Sequence, residues 1–195
     1  MDHLKSNNLL HPAQHGFLKG RSTCSNLLEC LNDWTINLQD GNGTTIVYID
    51  FSKALMLFRI INCLLDCSRM ACKEICFCGY VVFFCNRFHQ TKVGSSLSNE
   101  AELISGIVQG IGPLMFLVYI NELVQILEEH DIKVKLFADD VKMYVKLLDN
   151  HDLDKLQGAL NSLVKWADTW QLTISIEKCC VLNIGSTQNY ALLAH

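Results

Sequence analysis

Apolar positions along this chain change their period several times, and each change predicts an element. From residue 22 onward Leu27, Leu31, Trp34 and Leu38 recur at steps of four, three and four, the spacing of one helix face, with Ser22 or Thr23 placed to cap its start. Asp40-Gly41-Asn42-Gly43 ends that helix, because a run of turn formers cannot continue it. Thr44 to Phe51 (TTIVYIDF) is β-branched, aromatic and uncharged until Asp50, which predicts a buried strand carrying one acid at its far end. A helical pattern begins at Ser52 and stays apolar past Leu65, and a second apolar run covers Ile75 to Phe88. Pro113 suits the first turn of a helix reaching about Glu129, where proline forfeits no helical hydrogen bond. KVKLFADDVKMYV then alternates as two strands meeting at Asp139-Asp140, a hairpin with an acidic tip. The most regular helix places Leu153, Leu156, Leu160, Leu163, Ala167 and Trp170 on one face, with Asp152 as its cap. Last, QLTISIEKCCVLNIG reads as two short strands with Lys178 in the bend between them. Strands interleaved with helices, including one hairpin, predict an α+β fold in which helices cover one face of an antiparallel sheet.

Composition narrows the class. The chain has 195 residues, half of them apolar, with only two prolines, which excludes a disordered or fibrous protein and fits one domain with a packed core. Ten cysteines would suggest disulfides in a secreted chain, yet MDHLKSNNLL is too polar to be a signal peptide, so the thiols are expected to be reduced and the protein intracellular. Six of them (Cys63, Cys67, Cys72, Cys76, Cys78, Cys85) crowd one stretch, but the only short pair is C-x-C and no second pair follows at finger spacing. Buried small hydrophobes are therefore expected there rather than zinc ligands, with a cysteine-rich interaction module as the alternative. No membrane partner is expected: Ile75 to Cys85 is about half a span, and Ile104 to Ile120 is broken by Gln109, glycines and Pro113. The net charge of −4 is uneven, since residues 101–195 carry seven basic and twelve acidic groups. A phosphate-binding surface there needs local lysines or bound cations to offset the acids.

The acids are placed for one kind of chemistry. Asp50 follows IVYI and Asp139-Asp140 follow KLFA, so carboxylates emerge from apolar strands, where unpaired charge is costly without a cation. Two-metal phosphoryl transfer needs such carboxylates converging from rigid elements. The alternative is that Asp139-Asp140 are ordinary turn residues. The strings around them bear on the choice. YIDFSKA (Tyr48 to Ala54), SGIVQGIGPLMF (Ser105 to Phe116), FADD (Phe137 to Asp140) and WQLTISIEKC (Trp170 to Cys179) resemble, in order and approximate spacing, the palm motifs of reverse transcriptases. QHGFLKGRST (Gln14 to Thr23) and CNRFHQTKV (Cys85 to Val93) are similar to segments of non-LTR retrotransposon polymerases, particularly jockey-like ones.

That resemblance implies a polymerase palm with a partial fingers region over residues 1–185, an unstructured tail at 186–195, and RNA-directed DNA synthesis. It implies that Asp50, Asp139 and Asp140 bind two Mg²⁺ ions that bring a primer 3′-hydroxyl to the α-phosphate of a dNTP, on an RNA template. Lys178 matches a lysine that protonates the leaving pyrophosphate. Lys19 and Arg21 match basic residues that meet the triphosphate or template backbone, while Phe51, Leu55, Gln109 and Gly110 match the nucleotide side of the pocket. Leu55 falls where the family usually has an aromatic residue under the sugar, Val108 replaces a proline, and about two residues are missing between Gly110 and Gly112. The chain is expected to be a degenerate fragment without a thumb after Gly185, or without endonuclease or RNase H regions. Its alternative reading is an inactive remnant that keeps at most nucleic-acid contact.

Overall fold

A computed structural model describes residues 10–52, 88–102, 112–149 and 151–185. The expected helix after Ser52, the apolar run from Ile75, the cysteine cluster, Leu55, Gln109, Gly110, the shortened loop and the tail lie outside the described residues.

Helix α1 (Thr23–Gln39) leads into strand β1 (Gly43–Ile49) and, past Asp50, into β2 (Phe51–Ser52). Four two-residue strands follow: β3 (Phe88–His89), β4 (Lys92–Val93), β5 (Ser96–Leu97) and β6 (Ala101–Glu102). Then come α2 (Gly112–Glu128), β7 (Lys133–Phe137), β8 (Asp140–Leu147), α3 (His151–Trp170), β9 (Thr173–Ile174), a 3₁₀ turn at Ile176–Lys178, and β10 (Cys180–Ile184). One sheet has the order β10-β1-β8-β7, every neighbour antiparallel, while β2 pairs with β9, β3 with β6 and β4 with β5. This is the expected α+β class, with helices on both faces of the four-stranded sheet and not on one. Strand β1 lies between two partners, which is why TTIVYI carries no charge.

The period-2 alternation of β1 and β8 assigns two faces. Val47 and Ile49 of β1, with Val141, Met143 and Val145 of β8, face α2 and α3 and form the main core. Helix α3 buries Leu156, Leu163, Ala167 and Trp170, the face read from its spacing, although it starts at His151. Asp152 therefore lies inside the first turn and accepts from the backbone N–H of Leu148 (2.8 Å) and Asp149 (3.2 Å). Burial alone raises its pKa, but those two N–H groups and Lys155 outweigh that and hold the carboxyl below its ordinary value. Between α2 and α3, one oxygen of Glu122 accepts from the indole N–H of both Trp166 and Trp170 at 3.2 Å each.

The opposite face carries α1, and there the expected stripe is corrected. Ser22 caps α1 in a reciprocal capping box with Ser25, as its chemistry allows. Of the expected four only Trp34 is buried, beside Asn26 and Cys30, while Leu27 is 46 % and Leu31 43 % exposed. The strands explain why. On this face the sheet holds Lys133, Lys135 and Lys146, and α1 turns Asp33, Glu29 and Asp40 toward them as ion pairs (Lys133–Asp33 3.0 Å, Lys146–Asp40 2.8 Å). The Asp33 carboxylate also accepts from the Tyr144 hydroxyl at 2.6 Å. A basic, aromatic surface selects the polar side of the helix.

Segment 13–16 runs beside β7. Leu136 donates to the Ala13 carbonyl and His15 donates to the Leu136 carbonyl, each at 2.9 Å, which carries Gln14 to the tip of the β7–β8 hairpin.

Candidate active site

The sheet register brings the acids together. Ile49 of β1 faces Val141 of β8, so the next residues outward, Asp50 and Asp140, leave the same end of two neighbouring strands. Phe137 pairs with Asp140, which leaves Ala138-Asp139 as a two-residue loop, with Ala138 at φ 57°. A left-handed first loop residue is the II′ pattern, whose twist matches that of the strands.

Asp50, Asp140, Lys142 and Lys178 line a cavity of about 460 Å³ between α1 and the sheet, together with Tyr48 and Thr23. Asp140 is held above its usual carboxylate range, first by partial burial and then by the charges of Asp139 and Asp50; Lys178 and Lys142 offset only part of this. Lys178 Nζ lies 3.3 Å from Asp50 Oδ1, and the Asp50 carbonyl accepts from Ser175 N–H at 2.8 Å, which ties the bend after β9 to the end of β1. Among the described residues Lys142 has no carboxylate partner: its Nζ donates to Asn26 Oδ1 at 3.3 Å and to Cys30 Sγ at 3.6 Å, and lies 5.7 Å from the Trp34 ring centroid and 5.3 Å from that of Tyr48.

Among the described residues, no three His, Cys, Asp or Glu side chains converge closely enough to enclose a metal ion. The donor set nevertheless suits one. Its carboxylate oxygens are hard ligands, and Asp140, raised by burial and then by the charges of Asp139 and Asp50, is the kind of group a nearby divalent cation would relieve. The four described thiols, Cys24, Cys30, Cys179 and Cys180, are free.

The remaining expected residues separate. Phe51 follows Asp50 directly, but its ring is 3 % exposed and packs against Trp166 at 6.1 Å, so its side chain belongs to the core and its backbone is what lies beside the acids. The reason is the extended backbone, in which Asp50 and Phe51 must point to opposite faces. Lys19 is exposed on the loop before α1. Arg21 lines a different cavity, of about 450 Å³, with His11, Glu29 and Lys135. There its Nη1 donates to His15 Nε2 at 2.7 Å and lies 3.6 Å from Glu29. His15 accepts because burial, and then the Arg21 charge, lower its pKa and keep the ring neutral, with Nδ1 left to donate to Ser25 Oγ at 3.0 Å. Lys135 in turn holds the Glu29 carboxyl below its ordinary value. Thr23, Tyr48 and Lys142 also line the carboxylate cavity, outside the motif strings' acids and Lys178. Lys142 alone had a signal, as a charge two residues past the acidic tip on an otherwise apolar strand.

An α+β sheet with acids at adjacent strand ends and helices packed behind it defines a polymerase-palm type of domain. Residues 1–191 match the model of the family described as reverse transcriptase (RNA-dependent DNA polymerase), and the chain belongs to that family. Solved structures agree on the fold. The chain is similar to apo telomerase from Candida tropicalis truncated from its C-terminal domain, with a TM-score of 0.54 at 10% identity, covering 96% of this chain and 39% of that one. It is similar also to telomerase from Candida albicans in complex with a TWJ fragment of telomeric RNA, with a TM-score of 0.58 at 10% identity, covering 86% of this chain and 31% of that one. For the corresponding Candida tropicalis complex the TM-score is 0.60 at 10% identity, with 93% and 32% covered. The chain thus spans well under half the length of these structures. No curated protein matches it.

Proposed function

We propose that the chain is the fingers and palm region, residues 1–185, of an RNA-directed DNA polymerase from a mobile element of the jockey-like non-LTR type, with residues 186–195 as a tail. It acts inside the cell on an RNA template, a DNA primer and dNTPs. Asp50, Asp139 and Asp140 would hold two Mg²⁺ ions. When bound, these supply the Lewis acidity that stabilises attacking and leaving oxygens in phosphoryl transfer. The chain's own residues do the rest. Lys178 Nζ, beside Asp50, holds the proton that the departing pyrophosphate needs, and Lys142 adds positive charge to an acidic cavity that phosphates must enter. Lys19, Arg21, Leu55, Gln109 and Gly110 are assigned by motif to the triphosphate, sugar and template side.

The observation that most supports this reading is the Ile49–Val141 register, because it sets Asp50 beside the acidic hairpin tip on rigid strands. A second reading, a domain that contacts nucleic acid without catalysis, is favoured by the Lys178–Asp50 ion pair, in which a lysine neutralises the carboxylate. Primer extension on an RNA template with Mg²⁺, beside primer-template affinity with and without Mg²⁺, decides between them. Under the first reading extension falls at least about 100-fold in Asp140→Asn, and Mg²⁺ tightens binding in the parent but not in Asp139→Asn. Absent extension with binding indifferent to Mg²⁺ establishes the second.

A further inference from the structure

The acidic hairpin tip is held by a residue far away in sequence. Gln14 is 2 % exposed and uses both ends of its side-chain amide on Ala138 and its own loop. Its Oε1 accepts from the Ala138 N–H at 2.9 Å and from the Gly16 N–H at 2.6 Å, and its Nε2 donates to the Ala138 carbonyl at 3.2 Å. Ala138 is itself buried and sits at φ 57°, a left-handed conformation that is strained for a residue with a Cβ. Both of its backbone polar groups therefore need partners away from water, and they find both on one amide. Gly16 completes the clasp, since a Cβ there would lie 2.2 Å from the Ala138 nitrogen.

We propose that Gln14, with Gly16 beneath it, is the positioning residue of the acidic turn: it locks Ala138 in the left-handed conformation and so fixes the directions in which Asp139 and Asp140 leave the hairpin. Glutamine suits this position because it must accept and donate at once. Glutamate can only accept when ionised, and asparagine is one methylene shorter. The clasp itself is independent of the polymerase reading; its effect on metal binding rests on that reading.

The test uses the ¹⁵N-labelled full chain, amide hydrogen exchange, and Mn²⁺ as a paramagnetic stand-in for Mg²⁺. In Gln14→Ala, exchange at the Ala138 amide accelerates by about tenfold or more, as expected for a buried donor left unpaired, while Ile46 and Leu163 amides keep the parent rate. Mn²⁺ affinity weakens by about tenfold, and adding Ala138→Gly restores it, because glycine takes a left-handed φ without strain. Gln14→Glu, which keeps the acceptor and loses the donor, gives an intermediate Ala138 rate and carries the same test should Gln14→Ala not fold. Three outcomes overturn the proposal: an unchanged Ala138 rate, acceleration spread equally over the sheet, or no recovery with Ala138→Gly. If the parent fails to bind Mn²⁺ at all, the polymerase reading falls, and the Ala138 exchange rate alone still decides the clasp.

Discussion

Helices α1 and α3 carry leucines at equally regular spacing and are treated in opposite ways by the sheet between them. Helix α3 buries Leu156 and Leu163 completely, against Val and Met side chains on its face of the sheet. Helix α1 keeps Leu27, Leu28 and Leu31 outside and turns Asn26, Cys30, Trp34, Glu29 and Asp33 inward, because its face of the sheet carries lysines and tyrosines. Periodicity states that a helix has two sides. Which side is buried is decided by the partner surface, and burying a leucine face over lysine ammonium groups would strip their water without giving them a counter-charge. The two contacts also differ in strength. Each leucine buried by α3 contributes roughly 1.5–3 kcal/mol, whereas exposed or half-exposed ion pairs of the α1 kind contribute about 0–1 kcal/mol.

The largest expected effect contrasts the two helices directly. Leu163→Ala lowers the unfolding free energy by about 2–5 kcal/mol in urea denaturation, while Leu31→Ala changes it by less than about 0.5 kcal/mol. Equal losses would mean that the outer side of α1 is covered after all. Next in size is Asp152, whose charged form is stabilised by two backbone N–H groups at the start of α3. Asp152→Ala costs about 1–3 kcal/mol at neutral pH. Because its folded pKa is depressed, that stability is fully present above the unfolded carboxyl value of about 3.9 and is lost as pH falls through the lower folded value. Parent and variant melting temperatures should then converge at strongly acidic pH; a constant gap down to acid would assign the loss to packing. The smallest effect sharpens the ionic side of the comparison. Glu29→Gln costs no more than about 1 kcal/mol at low ionic strength, and the gap narrows near 1 M salt, where screening reaches about 3 Å. Amide exchange in α1 should speed up with salt while that in α3 does not, and parallel behaviour of the two would remove the distinction.

Much of this was legible in the chain itself. Helix α3, the Pro113 start of α2 and the hairpin around Asp139-Asp140 follow from local period and turn chemistry, which need no knowledge of partners. The proximity of Asp50 to Asp140 followed only from the resemblance of four ordered strings, since strand order is a long-range property. Three things were hidden. The side of α1 that is buried depends on lysines a hundred or more residues away. The inward ring of Phe51 follows from alternation past Asp50, which the motif string by itself does not state. Gln14 gives no periodic signal, and its importance appears only when segment 13–16 is laid beside β7.

The carboxylate shared by Trp166 and Trp170 has an optical consequence. Their ring centroids are 6.3 Å apart with planes inclined at 47°, a close and chiral arrangement whose excited states couple and give a paired positive and negative band in circular dichroism. Trp34, the remaining tryptophan, stands across the sheet, edge-on to Tyr144 at 5.9 Å and near the Lys142 ammonium. The couplet therefore reports on the leucine-packed side of the molecule, and a chain that keeps Trp34 alone (Trp166→Phe with Trp170→Phe) would report by its emission on the lysine-rich side.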